Sequence, residues 1–196
     1  HLPLYTLSGG ELVRCGVSPN ALTIARPLLT SVVCAWFLQT GAVVPFCVAM
    51  GAIGLLDLLD GAVARVGGRV TRFGAYLDAL CDRYVEVLVI CAAAAVTGYW
   101  ALSLLVLAGS LLVSYAKARA AMEVPISNAE WPDLMERMER SAVFLAGLAA
   151  SALLPWRPLG QDLFWWALAA LAVLTHVTVI QRALRARRYI LDRSPR

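Results

Sequence analysis

Four aspartates carry the chemistry this sequence can do. Asp57 and Asp60 are three residues apart, and Asp78 and Asp82 are four apart. On helices, each pair shares a face. Both pairs lie in or beside long apolar stretches, where a charge costs about 2.5–3.5 kcal/mol to place in a membrane interior. Four left unpaired would cost on the order of 10 kcal/mol. Arg65, Arg69, Arg72 and Arg83 are close enough in sequence to offset part of this. Two arrangements are open. One is an ion-paired polar plug between two helices. The other is a metal site, because four carboxylates offer hard oxygen ligands suited to Mg²⁺, Mn²⁺ or Ca²⁺. Zinc does not suit them, since no His or Cys joins the cluster, and Cys81 belongs to another face of its helix. Two divalent ions about 3.5–4 Å apart could share these ligands, bridge phosphates and stabilise an in-line displacement. Gly61 and Gly74 would let a ligand approach the backbone closely.

The elements that must position these carboxylates follow from the charge-free runs. A bilayer core needs roughly 20 apolar residues as helix. The run from Pro27 to Leu56 carries no charge and is too long for one span, and Gly41 and Pro45 divide it. This predicts helices over 20–39 and 43–65. From Tyr84 to Ala116 the one charge is Glu86, and Gly98-Tyr99-Trp100 supplies the break. Helices over 74–97 and 100–120 follow, then two more over 138–155 and 163–182, separated by Pro155-Trp156-Arg157-Pro158. The expected fold is all-α: an integral membrane bundle of six transmembrane helices. A short N-terminal amphipathic helix would lie along the interface within a juxtamembrane segment, residues 1–18. Residues 183–196 are expected as a basic cytoplasmic tail against anionic headgroups, and 1–196 as a single domain.

Composition agrees. The chain has 196 residues, 60% hydrophobic and 15% charged, with a mean hydropathy of +0.72. Soluble domains are nearer half apolar and a quarter charged, so a water-soluble globular domain and a disordered chain are both excluded. Five cysteines, odd in number and without a CxxC pair, read as small apolar fillers. With both termini and the active site cytoplasmic, only Arg157 of the 17 basic residues falls outside, as the positive-inside rule asks. Tyr99, Trp100, Trp131, Trp156, Trp165 and Trp166 sit near predicted helix ends as interfacial anchors. His176, in an apolar helix, is expected to be packed and hydrogen-bonded. The chain starts at His1, with no recognisable signal peptide, as expected of a fragment or a processed chain. No nucleic-acid partner is expected.

The pattern Asp57-x2-Asp60-Gly61-x2-Ala64-Arg65-x8-Gly74-x3-Asp78-x3-Asp82 resembles the signature of the CDP-alcohol phosphotransferase family, residue for residue and with the same spacing. Pro19-Asn20 is also similar to the family's pattern at the start of the first helix. The resemblance implies transfer of a substituted phosphate from a CDP-linked alcohol to an acceptor hydroxyl, releasing CMP. It implies that Asp57, Asp60 and Asp78 bind two divalent cations, Mg²⁺ or Mn²⁺ with Ca²⁺ as an alternative. Asp82 is implied as general base and further metal contact. Gly61, Ala64, Arg65, Thr71 and Gly74 are implied to hold the cytidine diphosphate, with Arg65 on a phosphate. Asn20 either faces the site or caps the first helix. A homodimer is implied as well.

A basic group lies on the same side of the membrane. Lys117 and Arg119 end the fourth predicted helix, too close in sequence to share a face, and Arg137 and Arg140 open the fifth and do share one. These residues suit a phosphate on the acceptor; they also suit the ordinary positive-inside bias, with Glu136 and Glu139 as local partners. The Lys-x-Arg and Arg-x-x-Arg are similar to the family branch that makes phosphatidylinositol phosphate or its archaeal counterpart, with Met138 where that branch often has proline. The expected reaction is therefore transfer from CDP-diacylglycerol or CDP-archaeol to inositol phosphate, in a phospholipid-synthesising enzyme among membrane lipids. Alternatives are glycerol-3-phosphate as acceptor, a soluble CDP-inositol donor in an enzyme following a nucleotidyltransferase domain, or, outside enzymes, a cation transporter.

Overall fold

The computed structural model describes the backbone of residues 19–66, 71–123 and 137–193, and the side chains of 23–55, 71–123 and 137–191. The predicted interfacial helix, Trp131 and Glu136 lie outside the described residues. Six α-helices are present among those described: α1 Pro19–Thr40, α2 Val43–Val66, α3 Arg72–Thr97, α4 Trp100–Glu123, α5 Arg137–Leu153 and α6 Leu163–Arg193. There is no strand among them.

Local chemistry sets the boundaries. Gly41 takes a left-handed φ of 64° and its N–H donates to the carbonyl of Phe37 at 2.8 Å, which closes α1. Thr71 caps α3, its hydroxyl accepting from the Gly74 N–H at 2.9 Å. Gly98, with φ 81°, ends α3. Asp162 caps α6 by accepting from the Trp165 N–H at 2.9 Å. α6 runs on to Arg193, past the expected end at 182. The arginines of this segment follow alanine and leucine in a sequence of good helix formers, so the helix continues beyond the apolar stretch.

The contacts fall into two compact units, His1–Val96 and Thr97–Arg196. In the first, the rings of Phe37 and Phe46 stack 4.0 Å apart, tying α1 to α2 where both are fully buried. In the second, α6 packs against α4 and α5 around Phe144, Leu148, Phe164, Leu168 and Leu171. Glycines let the helices close in. A Cβ on Gly109 of α4 would stand 2.2 Å from Thr175 Oγ1, and one on Gly147 of α5 would stand 2.3 Å from Ala167 Cβ.

Two helices, Trp100–Glu123 and Leu163–Leu191, are long and apolar enough to cross a bilayer, and Val43–Leu55 is a shorter apolar stretch. α3 carries Arg72, Asp78, Asp82, Arg83 and Glu86, which keeps it from meeting that standard. Large apolar side chains are exposed along the helices, among them Leu28, Val32, Val48, Leu104, Val173 and Ile180. Soluble proteins rarely expose so many together.

Candidate active site

The site is built on the first unit. α2 presents Asp57 and Asp60 three residues apart on one face of its backbone, with Gly61, Ala64 and Arg65 in the following turns. The side chains of Asn20 and of these α2 residues lie outside the described residues. α3 presents Asp78 and Asp82 one turn apart, on the face that meets α1.

Arg26 of α1 joins the two α3 carboxylates. Its Nη2 donates to Asp78 Oδ1 at 3.2 Å and, more closely, to Asp82 Oδ1. The partners differ in surroundings: the Asp78 side chain is 55% exposed and that of Asp82 only 13%, while that of Arg26 is 11% exposed. Sequence reading passed over Arg26, counting it among the basic residues at inner helix ends. The signal was present. An arginine in the early turns of an apolar helix, directly before a long charge-free run, requires a counter-charge. Arg83 pairs with Glu86 at 2.5 Å along the same helix.

The donor set suits a hard divalent cation. Asp78 and Asp82 offer only carboxylate oxygen, and one oxygen of each converges on a single cationic nitrogen, a point that already demands positive charge. Among the described residues no group of three or more His, Cys, Asp or Glu comes together. Cys81, between the two aspartates, is buried in the protein while Asp78 is exposed, as expected for another face.

Thr71 and Gly74 meet at the N-terminus of α3. The Thr71 hydroxyl accepts from the Gly74 N–H, and its own O–H proton stays available to donate. Asn20 falls within α1, Pro19–Thr40.

The expected acceptor residues belong to the second unit. Arg119 is exposed and pairs with Glu123 one turn on, at 2.5 Å. Lys117 is half-buried, and Arg137 and Arg140 open α5, with Arg140 buried at 5% exposure. Sequence reading did not single out Arg182, which is buried and donates to the carbonyl of Val113. His176 is packed as expected, its Nδ1 2.9 Å from the carbonyl of Ala172. At the opposite end of this unit, the Tyr99 hydroxyl donates to Asp162 at 2.7 Å. Burial, and then this hydrogen bond, hold the Tyr99 hydroxyl above the usual tyrosine range. The described cysteines form no disulfide among themselves and are at least half-buried, in keeping with apolar filling.

Residues 16–184 match the profile of the CDP-alcohol phosphatidyltransferase family. The chain is 34% identical over 187 residues to the phosphatidylinositol phosphate synthase of Corynebacterium glutamicum, covering 89% of this chain and 80% of that one. It is 33% identical over 184 residues to the archaetidylinositol phosphate synthase of Pyrococcus horikoshii, covering 92% and 89%. The crystal structure of Mycobacterium tuberculosis phosphatidylinositol phosphate synthase with CDP-DAG bound superposes with a TM-score of 0.80 at 29% identity, over 93% of both chains. The same enzyme in complex with manganese and citrate gives 0.78 at 28% identity, over 93% of this chain and 88% of that one.

Proposed function

Because this chain belongs to the CDP-alcohol phosphatidyltransferase family, we propose that it transfers the phosphatidyl or archaetidyl group of a CDP-linked lipid to the hydroxyl of inositol phosphate, with release of CMP. The protein is a transferase of phospholipid synthesis. The observation that supports the residue-level reading is the convergence of Asp78 and Asp82 on one positive point.

In this reading, Asp57, Asp60, Asp78 and Asp82 hold two divalent cations, Mg²⁺ or Mn²⁺. The manganese found in the solved relative supports a metal of this class. Bound there, the ions neutralise the diphosphate and polarise the bond to the departing CMP. Arg65 binds a diphosphate oxygen. The Thr71 hydroxyl donates to the nucleotide, while Gly61, Ala64 and Gly74 leave room for its close approach. Asp82, the less exposed carboxylate, takes the proton of the attacking hydroxyl. Lys117, Arg119, Arg137 and Arg140 bind the acceptor's phosphate. Their positive charge, with three bidentate arginine forks, suits a phosphorylated polyol better than free inositol or serine.

The two long apolar helices and the exposed apolar side chains are consistent with a membrane protein. We extend this to six transmembrane helices, with the active site and both termini cytoplasmic and the lipid tails of the donor left in the bilayer. The basic residues at one set of helix ends support that orientation. A homodimer completes the reading.

The test is one assay. Purified protein is incubated with CDP-diacylglycerol and Mg²⁺, and inositol phosphate, free inositol, glycerol-3-phosphate and serine are offered separately. CMP release with a phosphorylated inositol lipid as product is expected for inositol phosphate alone. Product with another acceptor and none with inositol phosphate overturns the assignment.

A further inference from the structure

Arg26 raises a question that the proposed reaction does not answer. A single guanidinium nitrogen contacts one oxygen of Asp78 and one of Asp82. A divalent ion bound by those same two oxygens would lie about 2.0–2.6 Å from each, too near for Nη2 to keep both of its contacts. Two cations do not share that point, because they exclude one another sterically and repel. Loading an ion on both carboxylates therefore requires Arg26 to release at least one of them.

The two contacts are unequal, and the inequality decides which one opens. The contact to Asp78 is long, at 3.2 Å, and that side chain is 55% exposed. Water and ions reach it, and screening makes the contact weak. The contact to Asp82 lies between side chains of 13% and 11% exposure. There, separation would leave charges in a poorly solvated place, which is costly.

Resting on the reading that these aspartates hold a divalent cation, we infer that Arg26 is a resident counter-cation that loading displaces from Asp78 while it stays on Asp82. Before loading, it prevents repulsion between two carboxylates one helical turn apart. During loading, it competes with the ion, so it sets the metal affinity below what the carboxylates alone would give. Once displaced from Asp78, it still orients Asp82. Arg26 is thus a positioning residue that tunes metal occupancy.

The experiment is Mn²⁺ titration of the full chain in detergent, with free Mn²⁺ read by its electron paramagnetic resonance signal. Wild type, Arg26→Gln and Arg26→Lys are compared, and melting is recorded with and without Mn²⁺. Removing the competing charge is expected to tighten Mn²⁺ binding on the order of tenfold in Arg26→Gln. The same variant should melt lower before Mn²⁺ is added and gain more from it. Arg26→Lys, which keeps the charge, should bind Mn²⁺ within a few-fold of wild type. A purely structural arginine would lower melting without tightening the metal. If Arg26→Gln does not fold, the comparison moves to the Asp82→Asn background, which removes the carboxylate that Arg26 neutralises. In that background Arg26→Gln should again tighten Mn²⁺ binding. Wild-type Mn²⁺ binding with unchanged or weaker binding in the Gln variant overturns the inference and leaves the metal-site reading standing. Absence of Mn²⁺ binding in every protein overturns both.

Discussion

Asp78 and Asp82 occupy adjacent turns of one helix and contact the same nitrogen, yet their amide variants should behave differently. Asp82→Asn removes the less exposed partner of Arg26, whose own side chain is 11% exposed. Breaking a buried ion pair by deleting one partner costs about 3–5 kcal/mol. Asparagine keeps one acceptor oxygen, and Asp78 remains 3.2 Å from the guanidinium, so a loss of about 2–3 kcal/mol is expected here. At about 2–4 °C per kcal/mol for a chain of this length, melting should fall by roughly 5–10 °C. Asp78→Asn removes the longer contact of a side chain that is 55% exposed, an interaction worth about 0–1 kcal/mol, so melting should move by less than about 4 °C. Activity should fall in both. CMP release is expected to be abolished in Asp78→Asn, through loss of a metal ligand in a folded protein. It should drop by about 10²–10⁴-fold or more in Asp82→Asn, as for loss of a general base. The assay pairs CMP release with thermal melting followed by tryptophan fluorescence. Equal melting losses, or a larger loss at Asp78, would refute the unequal sharing of Arg26. Full turnover in Asp78→Asn would refute its role as a metal ligand.

Other outcomes follow from the same structure. Gly109→Ala places a methyl 2.2 Å from Thr175 Oγ1 and 2.8 Å from its Cβ; the overpacking cost of about 1–3 kcal/mol exceeds the helix gain of about 1 kcal/mol, so melting falls. Thr175→Ala should restore part of that loss, because it removes the closer contact. Arg119→Ala deletes only an exposed pair with Glu123, so melting is unchanged while KM for inositol phosphate rises several-fold with little change in KM for the CDP-lipid. Tyr99→Phe loses the bond to Asp162, and a melting loss equivalent to about 1 kcal/mol is expected at neutral pH. The Tyr99 hydroxyl is held above its ordinary value, so the native state favours its neutral form. Its contribution is present below about pH 10 and disappears as pH rises through the folded value. The difference in melting between wild type and Tyr99→Phe should therefore narrow in strong alkali.

Sequence alone determined much of this protein, because the relevant signals act over a few residues. Gly41 and Gly98 end helices through their own backbone angles, and Thr71 caps α3 through a hydroxyl three residues from its partner. Periodicity put Asp78 and Asp82 on one face, and their spacing with Asp57, Asp60 and the glycines carried the family and the reaction. The end of α6 was less legible, since apolar composition marks where a span stops and not where helix propensity stops. Tertiary structure decided what couples distant segments. Arg26 is more than fifty positions from Asp78 and Asp82 in the chain, and Gly109 meets Thr175 only because α4 and α6 pack closely. The Arg182 contact to Val113 is of the same kind. Such pairings depend on which helix faces meet and at what height, and local rules of capping and period carry no information about that. Sequence therefore singled out the carboxylates proposed to do the chemistry, and the ion pairs from α1 to α3 showed which cation attends Asp78 and Asp82.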